Sequence, residues 1–258
     1  MYSRWLVAAA MTDERVVDAN FNDELLARLY DPLDPDRSDL QIYRQLITAL
    51  DAHKILDLGC GTGTFACTMA GAGFEVTGID PAGASLAVAR EKPEAAQVAW
   101  VHGTVHDLRT GDFDAAVMTA NVAMVFTDDT QWQNTLRRIA LALKPGGTLI
   151  FEARRPEVRA WEQWTEQLTR ETTVVAGQGA VTTWVQVLGY ANEILRFRET
   201  FRFEDGTELI SESTLRYRRR EQIEATLDSA GFDIREVRDA PDRPGRQFIF
   251  VAQRRMNG

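Results

Sequence analysis

The chain is poor in thiols and imidazoles: two cysteines, Cys60 and Cys67, and three histidines in 258 residues. Two cysteines cannot supply a disulfide framework, and no Cys/His spacing fits a zinc site, so no metal is expected. The thiols read as small residues in a reducing compartment, and the expected location is cytoplasmic. A basic excess is also missing. Lys and Arg number 29 against 38 Asp and Glu, a net charge of -9. A general nucleic-acid or membrane-surface binder needs a basic face, so neither partner is expected. No apolar run is long enough to span a bilayer. Arg4 followed by Trp5-Leu6-Val7-Ala8-Ala9-Ala10-Met11 faintly resembles a leader, but Asp13 and Glu14 stand where small residues should precede cleavage. The stretch reads as a frayed N-terminus, with Met11 an alternative start. There are no repeats and no low-complexity linker. What is left is ordinary globular composition, 45% hydrophobic and 26% charged, in one large or two small domains.

The most informative stretch is Ile55-Leu56-Asp57-Leu58-Gly59-Cys60-Gly61-Thr62-Gly63. An apolar run ending in such a turn reads as a buried strand feeding a helix, here Thr64 to Ala72. Glycine permits φ > 0 and lets a ligand touch the backbone. The helix would turn its first N–H groups toward that ligand. The dinucleotide fingerprint Gly-x-Gly-x-x-Gly is not met, because Thr64 occupies its last position. A second strand, Phe74 to Asp80, ends in an acid placed to accept both ribose hydroxyls of a nucleoside. That acid alone does not separate adenosine cofactors from one another, and it could instead N-cap the helix Ala84 to Arg90.

The pattern Asp-x-Gly-x-Gly-x-Gly resembles motif I of the class I S-adenosylmethionine-dependent methyltransferases, small-molecule type. Three further stretches carry the resemblance through residues 55–153: Gly78-Ile79-Asp80, the strand opening Phe113-Asp114, and Leu143-Lys144-Pro145-Gly146-Gly147 before the strand Thr148 to Glu152. The resemblance implies a Rossmann-like seven-stranded α/β sheet of order 3-2-1-4-5-7-6 with an antiparallel last strand. It implies S-adenosylmethionine as cofactor, S-adenosylhomocysteine as product and a small-molecule N- or O-acceptor methylated by direct in-line transfer. The cofactor residues it implies are Asp57, Gly59, Cys60, Gly61, Gly63, Asp80, Pro81, Thr104, Val105, Asn121 and Val122. The family usually has Gly-Asp where this chain has Gly103-Thr104. A hydroxyl then replaces the acid that meets adenine, or Asp107 takes the role. Asn121 would lie beside the transferred methyl. It lacks the Pro-Pro-Tyr of amino-methylating nucleic-acid enzymes, and no cysteine follows for cytosine-carbon methylation. Two other readings stand beside this one: a non-catalytic cofactor-binding subunit, and an NAD(P)-dependent oxidoreductase.

Residues 1–50 read as an N-terminal helical lid, 51–156 as the cofactor-binding core, 157–219 as an insertion and 220–258 as the return of the core sheet. In the lid, residues 14–31 and 38–50 carry helical stripes, the second N-capped by Ser38. Tyr30 is a candidate for closing the site, or a tyrosine capping a surface helix. His106 could act as a base or simply be solvated. Arg154 or Arg155, leaving strand five, could hold an anionic acceptor. Glu157 to Thr169 reads as a helix.

The rest of the insertion reads as antiparallel strands, and its register can be argued. A two-residue turn at Asp205-Gly206 would set Glu199 opposite Glu212. A three-residue loop, Glu204-Asp205-Gly206 with Gly206 left-handed, sets Arg198 opposite Glu212, Arg202 opposite Glu208, Phe201 opposite Leu209 and Leu195 opposite Leu215. Each favourable pair contributes roughly 0.2–1 kcal/mol, so the second register is expected. On its apolar face Glu199, Ser211 and Ser213 are polar exceptions. Either they touch the acceptor, with Glu199 a candidate base, or the sheet packs on the core or on a second subunit as a homodimer interface.

Overall fold

The computed structural model describes residues 17–256, so the leader-like stretch at residues 4–11 lies outside the described residues. The strand Lys54–Leu58 (β1) is buried at every position but the first, because both faces are covered. It pairs in parallel with β2 (Glu75–Asp80) on one side, and β2 with β3 (Val98–His102). On its other side stand β4 (Phe113–Met118) and then β5 (Leu143–Arg154), both parallel. The Asp114 carboxylate aligns three strand starts: it accepts the His53 and Lys54 N–H groups and pairs with Lys144.

The helices α4 (Thr64–Gly71), α5 (Gly83–Arg90) and α6 (Asp129–Ala142) connect these strands. After the insertion, α8 (Arg220–Ser229) leads to β10 (Phe232–Asp239) and β11 (Gln247–Arg254). β11 runs antiparallel between β5 and β10. Counting only core strands, the order is 3-2-1-4-5-7-6, as the resemblance implies. Two apolar clusters cover the two faces of the sheet, one around Leu58, Trp132 and Phe151, the other around Ile55, Phe65 and Ile150.

The insertion forms a separate antiparallel sheet, β6 (Glu171–Val175), β7 (Gly179–Ala191), β8 (Ile194–Arg202) and β9 (Glu208–Arg216). The β8–β9 register is the expected one. Arg198 faces Glu212, Arg202 faces Glu208 and Leu195 faces Leu215, with Gly206 left-handed at φ 86°. Leu195, Phe197, Phe201, Leu215 and Tyr217 are buried on one face. Glu157 to Thr169 is not one helix. It breaks into two 3-10 turns and the short α7 (Glu166–Thr169). Arg159 between the turns is left-handed at φ 49°, and Trp161 in the second turn and Trp164 at its end are both buried.

The lid also differs from a continuous helix. A first turn, α1 (Ala19–Asn22), stops at Asp23, whose side chain accepts the Leu25 and Leu26 N–H groups and so N-caps α2 (Glu24–Leu33). Pro32 is tolerated in its last turn. Leu26, Leu29 and Leu33 of α2 pack on Val175, Val181 and Phe201 of the insertion. The next helix begins as a 3-10 turn, Ser38–Leu40, and continues as α3 (Gln41–Thr48). Ser38 does not cap it; its N–H donates to Asp36 instead.

Candidate active site

The glycine turn holds its shape by hydrogen bonds to the neighbouring strand: the Gly59 and Cys60 N–H groups both donate to the Ile79 carbonyl. All three motif glycines have positive φ, but they are needed for different reasons. A Cβ on Gly59 would stand 2.5 Å from a Val122 methyl. A Cβ on Gly63 would stand 2.5 Å from the Trp100 ring. Only at Gly61 would a Cβ meet nothing within 4 Å. Gly59 and Gly63 are therefore glycine for close packing, and Gly61 borders open space.

That space is a cavity of about 420 Å³, open to solvent, beneath the lid. Gly59, Cys60, Gly61, Thr62 and Thr64 form its floor, Thr119 and Ala120 one wall, and Phe21, Tyr30, Arg37 and Ser85 its cover. The cover is tied down. Asp31 accepts from the Thr62 and Thr64 hydroxyls at 2.9 and 3.2 Å and pairs with Lys92 at 2.6 Å. Ser85 donates to the Phe21 carbonyl at 2.7 Å. Arg28 forks onto Glu91 of α5's C-cap with two 2.8 Å bonds.

Two buried acids flank the turn. The Asp80 carboxylate accepts the Gly61 N–H at 2.8 Å and the Ala82 N–H at 2.7 Å. Burial pushes its pKa up to about 6 against those two N–H groups. Asp57 is also buried; the Ala66 N–H approaches its carboxylate, which makes no other hydrogen bond within the described residues. Burial and then the neighbouring Asp80 charge raise its pKa to about 7, with Arg37 and the Ala66 N–H pulling the other way. A buried carboxylate so thinly satisfied, one turn from bare backbone at Gly61, suits a cationic or hydrogen-bond-donating ligand. These residues fit the amino-acid and ribose ends of an adenosyl-methionine cofactor.

Arg37, not foreseen from the sequence, completes the pocket's charge balance. Burial disfavours its guanidinium, but Tyr30, Asp39 and Asp34 outweigh that and hold it charged. A cation at the cavity cover suits a ligand carboxylate. The signal in the sequence was only an arginine between two acids, Asp36-Arg37-Ser38-Asp39, which reads as ordinary surface charge.

The structure does not assemble the three candidate catalytic residues into one centre. Tyr30 lines the cavity, as expected of a residue closing the site, and burial raises its hydroxyl pKa well above the ordinary range. His106 is exposed in the loop after β3, where its carbonyl accepts from Arg138. Glu199 sits on the inner face of the insertion and accepts from the Asn20 side chain at 3.2 Å. Ser211 accepts the Asn20 N–H at 2.9 Å, and Ser213 hydrogen-bonds Asp18. The inward polar residues are thus met by the lid. Sequence periodicity exposes which residues point inward but not what meets them.

Other expected cofactor residues scatter more. Cys60 is in the floor, its thiol pushed well up by burial and inert. Pro81 lends its carbonyl to the His102 ring. Thr104 caps a small turn, accepting the His106 N–H while its own N–H donates to Asp107; neither it nor Val105 lines the cavity. Val122 packs onto Gly59. Asn121 is fully buried with no hydrogen-bond partner for its side-chain amide. Arg154 is buried between the Trp164 ring, 5.1 Å from its guanidinium, and Tyr217. Arg155 pairs with Asp239 and lies over Phe248.

Comparison with known proteins places these features. The family described as "Methyltransferase domain" matches residues 55–147. A cypemycin N-terminal methyltransferase from a Streptomyces species is 34% identical over 108 residues, 42% of this chain and 44% of its own length. A ubiquinone biosynthesis O-methyltransferase from Alkalilimnicola ehrlichii is 37% identical over 117 residues, 43% of this chain and 46% of its own. The chain thus spans less than half the length of these curated relatives. Among solved structures, the CcbJ methyltransferase from Streptomyces caelestis superposes with TM-score 0.75 at 19% identity, covering 92% of this chain and 98% of its own. CalS10, an amino pentose methyltransferase from Micromonospora echinaspora, gives TM-score 0.71 at 22% identity, covering 89% and 96%. At those identities the likeness is one of fold.

Proposed function

We propose that this chain, whose residues 55–147 are a methyltransferase domain of the class I S-adenosylmethionine-dependent family, transfers a methyl group from S-adenosylmethionine to a small-molecule N- or O-acceptor. The observation that carries the reading is the open cradle at Gly61, hydrogen-bonded to Asp80, with the thinly satisfied Asp57 at the end of the strand that leads into the turn. When bound, the cofactor supplies a sulfonium-activated methyl. The chain's own part is then to bind, to orient and to exclude water. Gly61 offers bare backbone, Asp57 an acceptor for an ammonium group and Arg37 a partner for a carboxylate. Asp80 accepts from ribose hydroxyls, and Phe21 and Tyr30 roof the cavity under the Asp31 latch. No nucleophilic side chain is required.

A small acceptor suits a cavity roofed by the chain's own lid. The relatives' names divide between nitrogen and oxygen acceptors: N-terminal for the cypemycin enzyme, O- for the ubiquinone enzymes, and sugar N- for KedS8 from Streptoalloteichus, TM-score 0.70. We place the activity in the cytoplasm, because Cys60 and Cys67 are both free. No helix among the described residues is long and apolar enough to cross a membrane.

The test is direct. S-adenosylhomocysteine should raise Tm and bind by calorimetry, whereas NAD(P) should do neither. Cofactor labelled in its methyl group should pass label to a member of an amine and phenol panel. Heat with a pyridine dinucleotide and silence with S-adenosylhomocysteine would overturn the reading. Binding without transfer to any acceptor would leave a cofactor-binding subunit in its place.

A further inference from the structure

The cavity wall contributed by β4 is built on strained backbone. Ala120 and Asn121 are consecutive non-glycine residues with φ 51° and 64°. Asparagine tolerates this conformation, but alanine has no side-chain bond to offset it. Such outliers persist only where the surroundings hold them. Two backbone bonds close the turn, Val122 N–H to the Thr119 carbonyl and Met124 N–H to the Asn121 carbonyl. The remaining restraint is a side chain from β5: Glu152 accepts the Asn121 N–H at 2.9 Å through Oε1. Its Oε2 accepts the Tyr43 hydroxyl of α3 at 2.6 Å, which fixes the carboxylate's orientation. Glu152 is buried, and burial raises its pKa. A buried acid is unfavourable unless its hydrogen bonds compensate. Here one oxygen is used on the backbone one residue past the cavity-lining Ala120, and the other on the hydroxyl that orients the carboxylate.

We propose that Glu152 is a positioning residue of the transfer site: by accepting the Asn121 N–H it holds the left-handed Ala120–Asn121 turn, and with it the cavity wall and the buried Asn121 amide, in the geometry that receives the cofactor. Tyr43 serves the same end one step further out. The proposal rests on the cofactor reading of the cavity. It adds that the wall is set from β5 and α3 and not from the lid or the glycine turn.

Four variants test it in the full chain, Glu152→Gln, Glu152→Met, Tyr43→Phe and the double Tyr43→Phe/Glu152→Gln, with S-adenosylhomocysteine as probe. Glu152→Gln keeps an acceptor for the Asn121 N–H and can donate to the Tyr43 oxygen. It should bind within about threefold of wild type. Glu152→Met fills the same volume but accepts nothing. Its Tm should fall by several degrees, because the Asn121 N–H and the Tyr43 hydroxyl are both left buried without an acceptor. Its affinity should fall at least tenfold, and the Asn121 amide should exchange with solvent at least tenfold faster in NMR. In Tyr43→Phe/Glu152→Gln the hydroxyl no longer selects which end of the glutamine amide meets Asn121. Affinity should drop at least threefold below either single variant, and this arm suffices if Glu152→Met does not fold. Wild-type affinity and slow Asn121 exchange in Glu152→Met, or equal affinities in the double and single variants, would overturn the proposal. If wild type itself failed to bind S-adenosylhomocysteine, the cofactor reading would fall. The exchange measurement would still decide whether Glu152 holds the turn.

Discussion

Cofactor affinity should depend on pH in a way set by Asp57 and Asp80. Both carboxyls are buried, with pKa values raised to about 7 and about 6 in the ligand-free site. A ligand that presents an ammonium group and ribose hydroxyls needs both ionised. Lowering pH from 7.5 to 5.5 therefore weakens binding about 25-fold through Asp57 and about fourfold through Asp80, together about a hundredfold, or about 2.7 kcal/mol. The sign for stability is the reverse. Each folded-state pKa lies above the unfolded value of 3.8, so the ligand-free fold binds more protons than the unfolded chain between about pH 4 and 7. Its stability falls as pH rises through that window. Saturating S-adenosylhomocysteine should remove most of the fall. Calorimetry in buffers of different ionisation enthalpy reads both the affinity and the protons released, about 1.4 near pH 6. Asp57→Asn should flatten the upper part of the profile. An affinity constant within threefold from pH 5.5 to 7.5, with no proton release, would refute the assignment of these acids to the cofactor.

The glycines separate by the same measurement. Gly61→Ala, at φ 51° with open space around it, should cost only about 1 kcal/mol of stability yet weaken S-adenosylhomocysteine more than tenfold. Gly59→Ala should lower stability by about 1–3 kcal/mol more, because its Cβ would strike Val122. Gly78→Ala meets the Trp100 ring at 2.7 Å and should lose about 1–3 kcal/mol in chemical denaturation, largely recovered in Gly78→Ala/Trp100→Leu; additive losses would contradict the packing account. Asp31→Ala removes the latch to Thr62, Thr64 and Lys92, partly exposed bonds together contributing about 1–2 kcal/mol, and should open α2 to proteolysis unless S-adenosylhomocysteine is present.

What could be seen in the chain beforehand was whatever depends on neighbours in sequence. The β1 turn, the acid ending β2 and the Lys144-Pro145-Gly146-Gly147 bend are local patterns, and the sheet order came from the family resemblance they carry. The β8–β9 register followed from charge pairs across a short loop, because pairing there is determined by loop length. The misses are of another kind. Residues 14–31 read as one helical stripe, but Asp23 offers a cap and wins locally. Arg37 reads as surface until α3 and the glycine turn are brought to either side of it. Glu152 and Tyr43 are far apart in the chain, and nothing periodic links them. The inward serines of β9 were visible, but their partners came from the lid.

The lid's double attachment matters for anyone building chimeras. Helix α2 presents leucines to the insertion while Asp31 holds the glycine turn, and Asn20 reaches Ser211 and Glu199. Transplanting residues 157–219 alone into another scaffold would deliver a sheet whose inner serines and glutamate arrive without their counterpart. The transferable cassette is that sheet together with residues 17–33, two segments distant in the chain that pack as one part.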